Sequence, residues 1–190
     1  MRKIIISMHV SLDGYVAGPN GEMNWINFDA ELFKFVGKLT KKSDIALYGR
    51  KTFEMMDAYW PDAGSNPAAT EHDLEHSEWY NRVLKVVLSK TITVNGLNNV
   101  RVIKDDVIEN IIKLKQGKGK NILIFGSPTV VHTLFNNKLI DDIWLFVNPV
   151  VIGTGIPLFN NIPETIKLKL LTSKTFSCGV VCLHYSNLQS

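Results

Sequence analysis

From residue 3 to residue 135, short apolar runs alternate with amphipathic stretches, and after Asp142 the alternation stops. Few folds accept that pattern. Residues 3–10 read as a first buried strand. Residues 28–41 carry Leu32, Phe35, Val36 and Leu39 at helical spacing. Residues 44–48 form a short strand, and residues 50–56 open a helix. The stretch 59–69, with Pro61, Gly64 and Pro67, is predicted as a loop. Thr70 then caps a helix reaching Tyr80. Residues 84–88 and 100–103 are strands. Val107, Ile108, Ile111, Ile112 and Leu114 form a helix stripe, with Asp105 or Asp106 as its cap. Residues 121–125 are a strand, and Ser127-Pro128 starts a helix, because proline at the first helical position gives up no needed N–H. Residues 143–151, 167–176 and 180–185 are strands with no helix between them, and Gly179 turns the last two into a hairpin. The expected fold is α/β: a mostly parallel central sheet flanked by helices, with a C-terminal antiparallel hairpin, in a single domain over residues 1–190.

Composition narrows the function classes. The 190 residues are 45% hydrophobic and 21% charged, values typical of an ordinary globular domain. No apolar run approaches the ~20 residues of a membrane span, and the first residues enter a strand pattern with no signal-peptide character. A cytoplasmic protein without membrane contact is the expectation. A net charge of +3 gives slight support to an anionic ligand and none to nucleic acid. The lysines at 113, 115, 118 and 120 close a helix and have no interleaved aromatics. Cys178 and Cys182, if on one strand, would stand roughly 13 Å apart, too far for a disulfide. They read as reduced small hydrophobes.

Three strand ends carry residues suited to an anion, and open α/β sheets bind ligands at such ends. The first is Gly49-Arg50-Lys51-Thr52, where a strand meets a helix. Glycine permits close approach, the helix start offers free N–H groups, and two cations and a hydroxyl follow. Leu88-Ser89-Lys90 ends the next strand. Gly126-Ser127-Pro128-Thr129-Val130 again sets a glycine before a helix start. No GxGxxG occurs, so the usual dinucleotide fingerprint is absent. Each turn alone has an ordinary explanation as a polar strand end or solvated helix start. Three on one sheet form a cradle long enough for a dinucleotide.

Other constellations are weaker. His72 and His76 are four apart, but a solvated acidic helix explains them better than a metal site, and no metal is expected. His9 and His132 read as packing residues. Asp29 at the start of the first helix has two readings. It is a helix cap, or it is an acid of raised pKa in an apolar cleft that supplies or relays a proton.

The motifs MHVSLDGYVAG (8–18), LYGRKTFE (47–54), VVLSKT (86–91), ILIFGSPTVVHTLF (122–135), NPVVIGTGIPLF (148–159) and TFSCGVVCLHY (175–185) follow in order through most of the chain. Together they resemble the dihydrofolate-reductase-like proteins. They are closest to the branch that includes the reductase domain of the bifunctional riboflavin-biosynthesis deaminase-reductase. The resemblance implies an oxidoreductase using NADPH as hydride donor, held by Gly49, Arg50, Lys51, Thr52, Leu88, Ser89, Lys90, Gly126, Ser127, Pro128, Thr129 and Val130. It implies that Val16 and Ala17 lie near the nicotinamide. It also implies a substrate pocket including Met8, Trp25, Asp29 and Phe33, with Asp29 near the catalytic acid's position. The implied reaction is reduction of a small heterocycle, with 5-amino-6-(5-phosphoribosylamino)uracil reductase as the first activity and dihydrofolate reductase as the second. A nucleotide-binding module without efficient turnover and a structural dimer-forming domain are the readings from other classes. A homodimer paired through the β-rich end is the implied assembly.

Overall fold

Alternating strand and helix segments are buried by wrapping helices over both faces of one sheet. In the computed structural model, which describes residues 1–94, 96–97, 99–160 and 162–188, the strands are β1 (Ile4–Val10), β2 (Tyr15–Ala17), β3 (Ser43–Gly49), β4 (Leu84–Leu88), β5 (Val100–Ile103), β6 (Asn121–Phe125), β7 (Asp142–Val147), β8 (Ile156–Pro157), β9 (Leu168–Thr175) and β10 (Val181–Asn187). Eight of them form the sheet, in the order β5-β4-β3-β6-β1-β7-β10-β9. The first six in that order are mutually parallel, while β10 runs antiparallel to both β7 and β9. The helices are α1 (Ala30–Lys41), α2 (Arg50–Asp57), α3 (Trp60–Ala63), α4 (Glu71–Arg82), α5 (Val107–Gln116) and α6 (Pro128–Asn136).

Because alternate residues of a strand face opposite sides, the sheet builds two cores. Ile4, Ile6, Met8 and Val10 of β1 pack with Ile111 of α5 and with Val130, Val131 and Leu134 of α6. On the other side, Ile5, Ala46, Tyr48 and Leu123 meet Phe53 of α2 and Trp79 and Tyr80 of α4. Leu32 and Val36 of α1 cover Phe146, Phe176 and Cys182 on that same side. Burial of both faces explains why β1, β3 and β6 are nearly continuous apolar runs rather than alternating ones.

The expected α/β sheet with its terminal hairpin is present, and several local readings are corrected. The strand expected over 143–151 stops at Val147, because the fully buried Asn148 turns its amide onto Val10 and Phe146. The helix expected from residue 28 starts at Ala30, with Asp29 as its N-cap. The expected loop 59–69 contains the short α3, where Pro61 sits in the first turn. The two short strands β2 and β8 pair as a separate ribbon. Asp106 precedes α5 in a left-handed conformation without capping it through its side chain. Cys178 lies in the hairpin turn, and only Cys182 is on β10, where burial pushes its thiol up to about 12. No helix of the described residues is long and apolar enough to cross a membrane.

Candidate functional site

Neighbouring parallel strands end at the same edge of a sheet, so their following turns come together. Gly49 is in register with Leu88, and Leu47 with Ile124. The turns after β4, β3 and β6 therefore stand side by side. The Gly49 N–H donates to Ser127 Oγ at 2.9 Å, which ties two of them directly. Gly126 (φ 60°) and Ser127 (φ 60°, ψ 60°) are both left-handed, so the chain reverses sharply before Pro128. A left-handed serine costs about 1–2 kcal/mol, and here the hydrogen bond to Gly49 holds it.

That bond has a consequence for charge. Serine before a helix normally caps it with its hydroxyl, but Ser127 is turned toward Gly49 instead. Among the described residues, neither α6 nor α2 has a side-chain cap hydrogen bond at its start. Two adjacent helices thus present uncapped N–H groups and positive dipole ends at one sheet edge, which suits phosphate. The space is close-fitting. A Cβ on Gly49 would meet Val130 Cγ2 at 3.4 Å, and one on Gly126 would meet Thr52 Cγ2 at 3.0 Å.

Cations ring this cradle. Arg50, Lys51 and Lys90 are exposed. The Arg50 guanidinium forks onto Glu54 at 3.0 and 3.1 Å, an exposed pair of the kind worth under about 1 kcal/mol and readily exchanged for an anion. Ser89 Oγ accepts from the N–H of Thr91 (3.2 Å) and of Ile92 (3.1 Å), a turn that carries Lys90 outward and leaves the hydroxyl proton free to donate. Pro128 is half-buried and Val130 buried, so these two offer backbone, while Thr129 is exposed. Val16 and Ala17 are buried in β2, and the ribbon with β8 folds over the end of β1.

The substrate side departs from expectation. Asp29 Oδ1 accepts from the Leu32 N–H at 2.8 Å, and Oδ2 from Ser177 Oγ at 2.7 Å and the Cys178 N–H at 3.0 Å. These donors, Ser177 first, hold its carboxyl down at about 2. Of its two readings the geometry holds the cap, and not the acid of raised pKa: Asp29 is an ionised cap that joins α1 to the β9–β10 turn. Because its pKa is below the unfolded value of 3.8, it adds stability above that value and loses it as pH falls toward 2. Asp29→Ala should lower the thermal midpoint at pH 7, with the deficit to wild type shrinking between about pH 4 and pH 2 in acid melts.

Met8, expected in the pocket, is only 4% exposed and faces the α6 core, across the sheet from α1. Trp25 is half-buried and donates its indole N–H to the Glu22 carbonyl at 3.1 Å, within its own loop. Phe33 stacks on His72 with centroids 3.9 Å apart. His72 and His76 are not on a solvated face. They join Phe33, Trp60, Trp79 and Phe125 in an aromatic row running down to the end of β6. Burial lowers His76 to about 3, and among the described residues its buried Nε2 has no partner. Among the described residues no group of three His, Cys, Asp or Glu side chains could hold a metal ion. His132 donates from Nε2 to the Leu158 carbonyl at 2.7 Å, a structural hydrogen bond.

Sequence reasoning missed the pairing of His9 with Asn148. The His9 ring stacks on Phe146 at 5.1 Å, and Asn148 Nδ2 lies 3.3 Å from its Nδ1. Burial pulls the imidazole down to about 4, so it is neutral near pH 7. The alternation of β1 places His9 opposite Met8, but nothing local marks which face opens to a ligand. A groove of about 460 Å³ lined by Phe135, Phe159, Ile162 and Ile166 lies at the far end of α6, away from these strand ends.

The family model for the RibD C-terminal domain matches residues 2–182. YyaP of Bacillus subtilis strain 168 is 35% identical over 190 residues, covering 97% of this chain and 94% of its own length. A pyrimidine reductase-like protein from Corynebacterium diphtheriae superposes with a TM-score of 0.71 at 14% identity, covering 100% of this chain and 93% of that one. Dihydrofolate reductase from Enterococcus faecalis, solved with NADP(H), superposes at 0.64 and 16% identity, covering 98% and 96%.

Proposed function

The chain belongs to the RibD C-terminal domain family, and from that premise we propose that it is an NADPH-dependent reductase of a small heterocyclic substrate. The first candidate activity is reduction of a ribosylaminopyrimidine, as in 5-amino-6-(5-phosphoribosylamino)uracil; reduction of a dihydrofolate is the second. The observation that carries the reading is the pair of uncapped helix starts at adjacent strand ends, tied by Gly49 N–H to Ser127 Oγ. Free N–H donors, a fit too tight for a side chain at Gly126, and three exposed cations are what a phosphorylated dinucleotide requires. In this reading the starts of α2 and α6 and the Thr52 hydroxyl hold the pyrophosphate. Arg50, Ser89 and Lys90 hold the 2′-phosphate, and Val16 and Ala17 border the nicotinamide. NADPH bound there would supply the hydride. The protein orients the partners and excludes water. Asp29, ionised and accepting three hydrogen bonds, positions the loop above the site, and the proton comes from solvent.

The engagement of Asp29 favours one second reading, a nucleotide-binding module without efficient turnover. NADPH should quench tryptophan fluorescence under both readings. Only the reductase should oxidise NADPH with a ribosylaminopyrimidine, 7,8-dihydropterin or dihydrofolate, and no oxidation across such a panel would remove the reductase reading. Arg50→Ala should weaken NADPH about 10- to 100-fold, the worth of one or two charge-assisted hydrogen bonds, with NADH little changed. Equal loss for both cofactors would assign Arg50 to the pyrophosphate instead. A homodimer formed through the edge strand β9, where Leu170 and Leu171 are exposed, belongs to the same reading. Sedimentation at micromolar concentration tests it.

A further inference from the structure

His9 stands next to last on β1, the strand between β6 and β7. Ser7 is in register with Phe125. His9 therefore lies just past the end of β6, beside the Gly126–Ser127 turn. Its own register partner is Phe146, on which the ring stacks. The loop bearing Trp25 and Asp29 closes over the same edge, because the Asn27 N–H donates to Asn148 Oδ1 at 2.8 Å.

That last bond fixes the proton on His9. A backbone N–H only donates, so the Asn148 atom receiving it is the oxygen, and the other end of the amide is NH₂. This NH₂ donates to the Phe146 carbonyl at 3.0 Å and faces the Val10 carbonyl and His9 Nδ1, both at 3.3 Å. An imidazole nitrogen facing a donor is the bare one, so the ring proton sits on Nε2. Nε2 itself has no hydrogen-bond partner among the described residues. His9 as a whole is half-buried, whereas His76 is buried. The result is a neutral ring, fixed by stacking and by one amide, that offers a single donor at the sheet edge next to the phosphate cradle.

We propose that His9 is a catalytic residue whose Nε2–H donates a hydrogen bond to an acceptor atom of the bound heterocycle. The proposal rests on the reductase reading and narrows its substrate class. The ring must carry a carbonyl oxygen or a bare ring nitrogen at the end nearest the cofactor, as uracils and pterins do.

Two variants and one spectrum test it. His9→Phe keeps a ring to stack on Phe146 and removes the donor, while His9→Gln keeps an N–H donor at similar reach. Tryptophan quenching by NADPH should be unchanged in both. For whichever heterocycle the panel identifies, kcat/KM should fall about 10²-fold in His9→Phe, the usual loss for one preorganised donor, and recover in part in His9→Gln. In ¹⁵N-histidine-labelled protein saturated with NADPH, the proton should sit on His9 Nε2, and that resonance should move on addition of 6-aminouracil. A working reductase in which His9→Phe turns over like wild type would overturn the proposal and leave the reductase reading standing. A proton found on Nδ1, or NADPH binding lost along with turnover in His9→Phe, would also overturn it. If no heterocycle oxidises NADPH, the reductase reading falls and His9 falls with it.

Discussion

Gly126→Val should weaken NADPH binding more than 100-fold and lower stability by about 2–3 kcal/mol. Two effects add. Gly126 has φ +60°, a conformation in which a β-branched residue is strained, and such strain costs about 1–3 kcal/mol. The new side chain also has no room, since even a Cβ would lie 3.0 Å from Thr52 Cγ2. Relief requires the β6–α6 turn to move away from α2. That movement separates the two helix starts and lengthens the Gly49–Ser127 hydrogen bond on which their joint geometry rests. A ligand bridging both ends then loses one of them. Gly126→Ala, which carries the strain but the smaller clash, should lose about tenfold, or ~1.4 kcal/mol. Gly179→Ala is the control: its φ of +86° lies in the β9–β10 turn, where a Cβ meets Pro149 Cγ at 3.2 Å. It should lose stability and keep its NADPH affinity. Thermal melts paired with fluorescence titration measure both quantities. A Gly126→Val protein that binds NADPH like wild type would show that this turn holds no phosphate.

The strand ends were readable because each is a local feature. A glycine and a helix start follow β3 and β6, cations follow β3 and β4, and parallel register then brings the three turns together without further instruction. The sheet was readable for a similar reason, since burial on both faces leaves continuous apolar runs. What sequence could not show depends on distant partners. Asn148 looks like the continuation of a strand until its amide is seen to serve His9, Val10, Phe146 and Asn27 at once. β2 and β8 are three and two residues long, too short to display a period. The aromatic row draws on α1, α3, α4 and β6, so His72 and His76 appear as a polar pair until Phe33 and Trp60 are packed against them. Asp29 had both its readings in view, and the deciding donors, Ser177 and the Cys178 N–H, come from the far end of the chain.

The opposite edge of the sheet yields a perturbation of the fold that leaves the cradle untouched. Asp141→Ala should destabilise the protein by about 3–5 kcal/mol, the range found when one member of a buried ion pair is removed. Asp141 precedes β7, and its carboxylate receives Lys115 Nζ at 2.8 Å and the Ile4 N–H at 2.7 Å. Lys115 is 7% exposed and, besides Asp141, donates to the Leu139 carbonyl at 3.1 Å. The main chain of Asp141 bonds Ile4 and Asn187 as well. One residue therefore joins the beginnings of β1 and β7, the end of α5 and the end of β10. Alanine would strand an ammonium group in the interior and leave the Ile4 N–H unpaired, and each of these is costly on its own. Asp141→Asn keeps an acceptor for Ile4 and should cost less. Adding Lys115→Met to Asp141→Ala should recover much of the loss, because the buried charge is then gone and a similar volume remains. Urea unfolding of wild type, Asp141→Ala, Lys115→Met and the double variant gives the coupling directly. Since Gly126 and Asp141 lie at opposite ends of the parallel strands, Asp141→Ala should bind NADPH with unchanged affinity wherever it is folded. A cost below about 1 kcal/mol would mean that Lys115 reaches solvent by an alternative rotamer when its partner is removed.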